Sequence, residues 1–154
     1  MPPTIEVIEC PSGTLVNVED AAPKGCRYPA EQLLVKAPKL KGNVMKIVDK
    51  VWGCEHWITN TPEYCTKKLV LKKGWQCSLH HHKIKDETFV IASGQVLMEI
   101  GESVSVMYPF DSVRIEPGVK HRFSGIEDSV IFESSTHHED DDSYRDEVSG
   151  RMPV

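Results

Sequence analysis

From about residue 46 onward, short runs rich in β-forming residues alternate with turn residues. Helical periodicity is weak throughout the chain. Glycines and the pair Pro117-Gly118 separate the runs. We predict strands at residues 46–51, 55–59, 64–72, 76–82, 87–92, 95–100, 103–107, 112–115, 121–124 and 130–133. Many short strands at this spacing indicate an all-β sandwich or barrel.

The two ends of the chain differ from this central region, which we predict to form a barrel over residues 46–138. Residues 139–154 form a polar, acidic tail, for which we predict one short helical turn or none. Residues 1–45 should form an extended arm that packs on the barrel or on a partner subunit. The open edges of such a barrel, together with the arm, predict a homodimer. The arm is predicted from its helix-breaking prolines, Pro2, Pro3, Pro11, Pro23, Pro29 and Pro38.

Composition and charge narrow the classes of function. The chain has 154 residues, of which 40% are hydrophobic, and this suits one domain with a core of its own. The net charge of −5 argues against a nucleic-acid-binding protein, which needs a basic face to neutralise phosphates. No apolar stretch approaches the roughly 20 residues needed to span a bilayer, and the N-terminus lacks the basic start and apolar run of a secretory signal. We therefore expect a cytoplasmic protein without a membrane partner.

The segment from Gly74 to Glu87 carries a group of potential metal ligands. His80 and His82 are two residues apart, so on a strand their side chains share one face while that of His81 points the other way. Two imidazoles on one strand face can chelate a metal ion, and Glu87 follows a short turn that can return a carboxylate to the same place. A run of three histidines can equally be a solvated surface patch.

Residues 116–121, Glu-Pro-Gly-Val-Lys-His, supply a further histidine from a distant part of the chain. The Pro-Gly turn leads into a strand that opens with His121, and this fourth ligand favours a metal site over a surface patch. Three imidazoles and one carboxylate suit Mn, Fe, Co, Ni or Zn, and an octahedral shell would keep two open positions. A closed structural zinc site would use four ligands in a tetrahedron, usually with cysteine.

These residues resemble the two sequence motifs of the cupin superfamily. The second motif is met at Gly118 and His121, but Glu116 stands where it has proline and Gly125 where it has asparagine. The first motif, a glycine, His-x-His, a glutamate and a second glycine, is filled by Gly74, His80, His82, Glu87 and Gly94. The resemblance implies a single-domain cupin, which is a double-stranded β-helix or jelly-roll barrel. It also implies that one divalent metal ion is held by His80, His82, Glu87 and His121.

Residues around the motifs resemble the cupin sugar isomerases. Val51-Trp52-Gly53, Ser78-Leu79-His80 and the late acidic segment that ends at Arg145 are similar to the cupin domain of type II phosphomannose isomerases. The stretch Tyr64-Cys65-Thr66-Lys67 is similar to a strand of the small D-lyxose isomerases. The resemblance implies aldose–ketose isomerisation of a sugar or sugar phosphate. In that chemistry a metal ion chelates the substrate, polarises its carbonyl and stabilises an enediolate.

Such a reaction needs a base near the substrate's α-carbon and a cation for a phosphate or acid group. Each candidate also has a simpler reading, since a strand glutamate can face solvent and a lysine in a turn can simply solvate it. The candidate catalytic residues are Glu133, Glu99 and Lys83, and the candidate substrate-binding residues are Lys85, Arg145 and Tyr64.

The same four metal ligands leave two alternatives to an isomerase. One is an Fe- or Mn-dependent dioxygenase or decarboxylase, because this ligand set also supports oxygen chemistry. The other is a non-catalytic sugar-binding module. Analogy of fold cannot choose among them, because cupins carry many functions. The isomerase and the binding module share one expected partner, a small-molecule carbohydrate or sugar phosphate.

Overall fold

The computed structural model describes residues 8–9, 15–16 and 45–153. The chain divides into two compact units, residues 1–41 and 42–154. In the first unit, β1 (Ile8–Glu9) and β2 (Leu15–Val16) pair antiparallel, with Ile8 opposite Val16. The remainder of the predicted N-terminal arm lies outside the described residues, and its packing on the barrel or on a partner stays a prediction.

Over residues 45–153, the second unit is built from short strands and one turn of 3₁₀ helix, Asp140–Asp142. Within the described residues, no helix is long and apolar enough to cross a membrane. The strands are β3 (Lys46–Lys50), β4 (Gly53–Asn60), β5 (Cys65–Leu71), β6 (Trp75–Gln76), β7 (His80–His81), β8 (Glu87–Ser93), β9 (Val96–Ile100), β10 (Ser103–Met107), β11 (Ser112–Ile115), β12 (His121–Gly125), β13 (Ser129–Ser135), β14 (Tyr144–Arg145) and β15 (Gly150–Arg151).

These strands form two antiparallel sheets. One sheet has the order β11-β8-β13-β5-β4-β3, and the other runs β10-β9-β12-β6-β15, with β7 pairing β12 on one side and β14 on the other. Neighbours in the sheets are often distant in sequence, as in β13 between β5 and β8, and this is the connectivity of a jelly roll. The predicted all-β jelly-roll barrel is therefore confirmed.

The barrel interior is apolar at one end and polar at the other. In β8, alternate residues are buried, and the inward series runs from Glu87 through Phe89 to Ile91. In β13 the inward series includes Ile131 and Glu133, so the same gradient appears on the neighbouring strand. Each fully buried large apolar side chain contributes about 1.5–3 kcal/mol to folding, and these side chains anchor the apolar end. The charged end is where a site can be built.

The predicted strand over residues 76–82 is interrupted, and this is a correction. The pairing with β12 shifts by one residue between Gln76, which lies opposite Ser124, and His80, which lies opposite His121. The cause is at Cys77, whose Sγ atom accepts the backbone N–H of Phe123 at 3.3 Å in place of a carbonyl oxygen. The result is a bulge between β6 and β7, of the kind that re-aims side chains beside a site.

The C-terminal segment, residues 139–153, contributes strands to the barrel. Within it, β14 pairs with β7, so that Arg145 lies opposite the metal-ligand candidate His80. Farther on, β15 pairs with β6, and the guanidinium of Arg151 lies over the ring of Trp75 at 4.5 Å. The 3₁₀ turn before β14 buries Asp142. The polar tail therefore packs against the strands that carry the histidine cluster.

Candidate metal centre

The four predicted ligands come together at the polar end of the barrel. His80 lies on β7, Glu87 opens β8 and His121 opens β12, while His82 lies directly after β7. Their ligand atoms all lie within 4.8 Å of one another. His81 points away and stacks on Tyr144, with ring centroids 5.3 Å apart. The alternation of side chains along a strand thus separates His81 from its two neighbours, as predicted.

Each imidazole is oriented by a backbone carbonyl. Nδ1 of His80 lies 2.8 Å from the Ser78 oxygen, and Nδ1 of His121 lies 3.0 Å from the Val119 oxygen. Nδ1 of His82 lies 2.8 Å from the oxygen of Asp142. Because a carbonyl only accepts, each Nδ1 must carry the proton, and the neutral ring presents a bare Nε2 to the centre.

Two buried polar atoms at the centre lack hydrogen-bond partners among the described residues. These atoms are Oε1 of Glu87 and Nε2 of His121. They lie 2.8 Å apart, and Nε2 of His82 is 3.6 Å from the same oxygen. Two ligands bound at about 2.1 Å and at right angles are separated by about 3 Å. The donor set therefore fits a divalent ion.

The protonation states of these groups also suit metal binding. Burial, with a smaller contribution from His121, lowers the pKa of His80 to about 3. Burial likewise lowers the pKa of His82, against the opposing effect of Glu87. Burial alone would raise the pKa of Glu87, but His121 and the Lys85 ammonium outweigh it and hold this pKa well below its usual range. Neutral imidazoles and an ionised carboxylate are the forms that bind metal ions.

A chain of buried charges leads away from Glu87 along the inner face of the sheet. Nζ of Lys85 lies 2.6 Å from Oε2 of Glu87 and 2.5 Å from Oε1 of Glu133. Nζ of Lys67 lies 3.9 Å from the same Glu133 oxygen and 3.7 Å from Oε2 of Glu55. These side chains are almost fully buried, except that Glu55 is 14% exposed. Opposite charges therefore alternate across the strands, which is the arrangement that buried charges require.

The centre opens into a cavity of about 100 Å³. Of the six candidate catalytic and substrate-binding residues, Glu133, Lys85 and Arg145 line it. Lys85 differs from its predicted role, because its ammonium is engaged by two carboxylates and is not free to receive a phosphate. Arg145 is exposed, and within the described residues it forms no ion pair.

The other three candidates are not brought to the cavity. Glu99 faces outward on β9, where both of its oxygens accept from the Arg122 guanidinium at 2.8 and 2.9 Å. Lys83 lies in the turn after β7 and places its ammonium over the ring of Tyr144 at 4.0 Å. Tyr64 is 54% exposed just before β5. Cross-strand pairing and a cation–π contact, both at the surface, account for Glu99 and Lys83.

Sequence reasoning missed three residues around the centre. Asp142 orients His82 through its carbonyl, although the sequence predicted only a polar, acidic tail there. Lys67 is buried in the charge chain, since it occupies an inward position of β5. His138 lines the cavity with its ring edge-on to Trp57, at a centroid distance of 4.9 Å. Burial alternates strictly over residues 65–71, but the sequence Cys-Thr-Lys-Lys-Leu-Val-Leu does not, so no local pattern marks Lys67 or Asp142.

Cys77 lies near the ligands in sequence but is not one of them. Its thiol is buried, donates to the Ser78 oxygen at 3.4 Å and accepts from Phe123. Burial raises the pKa of Cys77 to about 12. Because the thiolate is the metal-binding form, this cysteine stays a packed structural group.

Comparison with known proteins identifies the architecture. Residues 68–132, which include all four candidate ligands, match the family model described as a cupin domain. By sequence, no curated protein matches the chain significantly. Among solved structures, KdgF from a Halomonas species superposes with a TM-score of 0.58 at 17% identity, covering 62% of this chain and 89% of that one.

Two further solved structures differ in activity. A nucleoside dehydratase from Streptomyces superposes with a TM-score of 0.60 at 9% identity, over 68% of this chain and 86% of its own. Oxalate decarboxylase from Bacillus subtilis gives a TM-score of 0.59 at 15% identity, over 66% of this chain but 30% of the larger enzyme. At these identities the similarity shows the fold, and the fold is that of a cupin.

Proposed function

We propose that this cupin-fold chain binds one divalent transition-metal ion at His80, His82, Glu87 and His121 and isomerises a sugar or sugar phosphate. The observation that carries the proposal is the position of Glu133, a buried carboxylate that lines the same cavity as the ligands. Aldose–ketose isomerisation moves a proton between two adjacent carbons. It therefore needs a proton-accepting group beside the ligand-binding positions of the ion, and Glu133 is such a group.

Lys85 links the two carboxylates of the site. Because its ammonium contacts Oε2 of Glu87 and Oε1 of Glu133, it fixes both side chains and keeps the other Glu87 oxygen directed at the histidines. In an aldose, Glu133 would take the proton from C2 and return it to C1, while the proton of the C2 hydroxyl moves to the C1 oxygen. When bound, the ion supplies Lewis-acid polarisation of the substrate carbonyl.

Arg145 is the group in the proposal that binds a substrate anion. It lines the cavity, is exposed, and lies opposite His80 in the β7–β14 ladder. A guanidinium can bind a phosphate or carboxylate through two parallel hydrogen bonds. The cavity is smaller than the roughly 300 Å³ at which drug-sized pockets begin. We expect only the reacting end of a short sugar to enter the cavity, with its charged group at Arg145.

Further support comes from the segments that resemble sugar isomerases, which lie around the cavity. Trp52 and Ser78 line it, together with His80 and Arg145. The stretch from Tyr64 to Lys67 leads into β5, whose Lys67 contacts Glu133. The predicted homodimer is not needed for this chemistry and stays a prediction.

The test is proton exchange at the substrate. Protein loaded in turn with Mn²⁺, Co²⁺, Zn²⁺ or Fe²⁺ is incubated in D₂O with pentoses, hexoses and their phosphates, and NMR follows deuterium at C1 and C2. We expect metal-dependent deuteration with interconversion of an aldose and its ketose. Absence of exchange across the panel, at full metal occupancy, would overturn the isomerase proposal. Saturable sugar binding without exchange would instead identify a binding module.

A decarboxylase is the second candidate, and the small cavity favours it. A volume of about 100 Å³ beside a cation at Arg145 also suits a short dicarboxylate. The solved oxalate decarboxylase shares the fold at 15% identity. Release of CO₂ from oxalate or malonate, or oxygen consumption with Fe²⁺, would favour this candidate over the isomerase.

A further inference from the structure

Asp142 contacts the metal centre in two ways without being a ligand. Its backbone oxygen lies 2.8 Å from Nδ1 of His82, 60 residues earlier in the chain. Its carboxylate accepts the backbone N–H groups of the turn that follows His82, at Lys83 (2.9 Å), Ile84 (3.1 Å) and Lys85 (2.9 Å). One residue of the C-terminal segment therefore holds both a ligand and the turn behind it.

The turn held by Asp142 connects the ligands to one another. It begins directly after His82 and ends with Lys85, whose ammonium contacts Glu87 at 2.6 Å. Without the carboxylate, all three N–H groups of the turn would need new partners, and one of them belongs to the buried Lys85. Movement of this turn would displace the ring of His82 and the contact that orients Glu87.

The side chain of Asp142 is built for this contact. It is 7% exposed, whereas Asp141 beside it in the same 3₁₀ turn is exposed. Burial would raise the pKa of Asp142, but the three N–H donors outweigh burial and lower it. The carboxylate is therefore an anion whose hydrogen bonds are made within the turn, as expected of a group that fixes backbone geometry.

We propose that Asp142 is a positioning residue of the metal centre and that docking of the C-terminal segment is thermodynamically linked to metal binding. The inference rests on the metal site of the proposed function, but not on the reaction. Outer-shell partners of metal ligands typically change affinity by about 10- to 100-fold when removed. Because linkage is reciprocal, the ion must strengthen the docking of the segment by the same factor that docking strengthens the ion.

The experiment compares Asp142→Ala, Asp142→Asn and Asp141→Ala in the full chain, with Co²⁺ as the probe. Affinity is measured by chelator competition, and the Co²⁺ absorption spectrum reports the ligand geometry. We expect Asp142→Ala to weaken Co²⁺ binding by about 10- to 100-fold with a changed spectrum. Asp142→Asn, which keeps one acceptor oxygen, should lie between, and Asp141→Ala should match the wild type.

Hydrogen exchange of the Lys83, Ile84 and Lys85 amides supplies the reciprocal measurement. In the wild type, Co²⁺ should slow exchange at these amides, whereas in Asp142→Ala it should have little effect. Urea unfolding of the metal-free variants confirms that they fold, and Asp142→Asn keeps the test valid if the alanine variant does not. An affinity for Co²⁺ within twofold of the Asp141→Ala value would overturn the inference while leaving the metal site intact. A wild type that binds no Co²⁺, Mn²⁺, Zn²⁺ or Fe²⁺ would overturn both proposals.

Discussion

Oε1 of Glu87 and Nε2 of His121 face each other at 2.8 Å in the barrel interior. The Nδ1–H of the ring donates a hydrogen bond to the Val119 carbonyl. In the neutral imidazole, both atoms that face each other are therefore acceptors. Both atoms are buried, neither has a hydrogen-bond partner among the described residues, and a cation between them would bind both. The two atoms therefore mark the position at which we expect an ion to bind.

Metal binding should depend on His121 and not on His81. At a metal concentration of about 100 times Kd, binding raises the free energy of unfolding by about 2.7 kcal/mol, which urea denaturation with and without chelator measures. His121→Ala should lose most of this increment. His81→Ala is the matched control, because its ring lies outside the cluster and stacks on Tyr144. Equal stabilisation of the two variants by metal would contradict the assignment of His121.

Glu133→Gln should abolish proton exchange while the metal stays bound. The amide keeps the shape of the side chain but cannot accept the substrate proton, and general bases typically contribute about 10²–10⁴-fold to the rate. NMR of the exchanging carbon gives the rate, and elemental analysis gives the occupancy. Glu99→Gln serves as the comparison, since Glu99 pairs with Arg122 on the outer face. A rate in Glu133→Gln near that of Glu99→Gln would exclude Glu133 as the base.

Lys85→Met should destabilise the metal-free protein by about 3–5 kcal/mol, the typical result of breaking a buried ion pair from one side. The substitution leaves Glu87 and Glu133 buried without the cation between them. Lys83→Met, two residues earlier and exposed, should change stability by no more than about 0.5 kcal/mol. Urea unfolding with chelator present makes the comparison. Adding Glu133→Gln to Lys85→Met should recover part of the lost stability. Fully additive effects of the two substitutions on the free energy of unfolding would argue against the contact between Lys85 and Glu133.

The metal-free protein should lose stability as the pH falls from 7 to 5. The pKa of His80 is lowered to about 3 in the fold, whereas an unfolded histidine titrates near 6.5. Between these values the unfolded chain binds a proton that the native chain does not, so stability rises with pH in this window. His80 alone should account for about 2 kcal/mol of the loss at pH 5. The lowered pKa of Glu87 acts only below about pH 4.5.

His80→Asn tests this pH dependence directly. Urea unfolding at pH 7 and pH 5, with chelator present, should show a smaller pH difference in the variant than in the wild type. The same pH difference in both proteins would mean that the His80 imidazole is protonated in the native state at pH 5.

The clustering of the four candidate ligands could be predicted from the sequence because it depends on two local regularities. Alternation along a strand separates His81 from His80 and His82, and a Pro-Gly turn introduces His121 at a strand start. The structure adds that Gly118 in this turn has φ +86°, a conformation that favours glycine. Short-range rules of this kind need no knowledge of the partner strand.

The side of the sheet on which each candidate base lies could not be predicted, because apolar and polar residues do not alternate along these strands. Glu133 follows Val130, Ile131 and Phe132, and Glu99 follows an equally apolar run. Apolar side chains would therefore be buried whether the odd-numbered or the even-numbered positions faced the core. A shift of one residue turns every side chain to the other face. In the structure Ile131 faces inward together with Glu133, whereas Met98 faces inward and Glu99 outward. Pairing with the neighbouring strands makes this choice.

The bulge and the C-terminal contacts lay beyond prediction for another reason. The shift between β6 and β7 depends on the Cys77 thiol accepting a hydrogen bond from a residue 46 positions away. Asp142 reaches the turn at Lys85 across 57 positions. Neither contact corresponds to a periodic pattern in the sequence, so only the structure shows that the acidic run is partly buried.

The two-residue strands β14 and β15 also affect how copies of the molecule can associate. Within residues 45–153 they form the edge next to β7 and β6, and a strand of two residues is too short to template the addition of a foreign strand. At the opposite edge of the same sheet, β10 has five residues and exposes Val104 and Val106. Unwanted strand-to-strand aggregation of this sheet is therefore expected to begin at β10, away from the edge that borders His80.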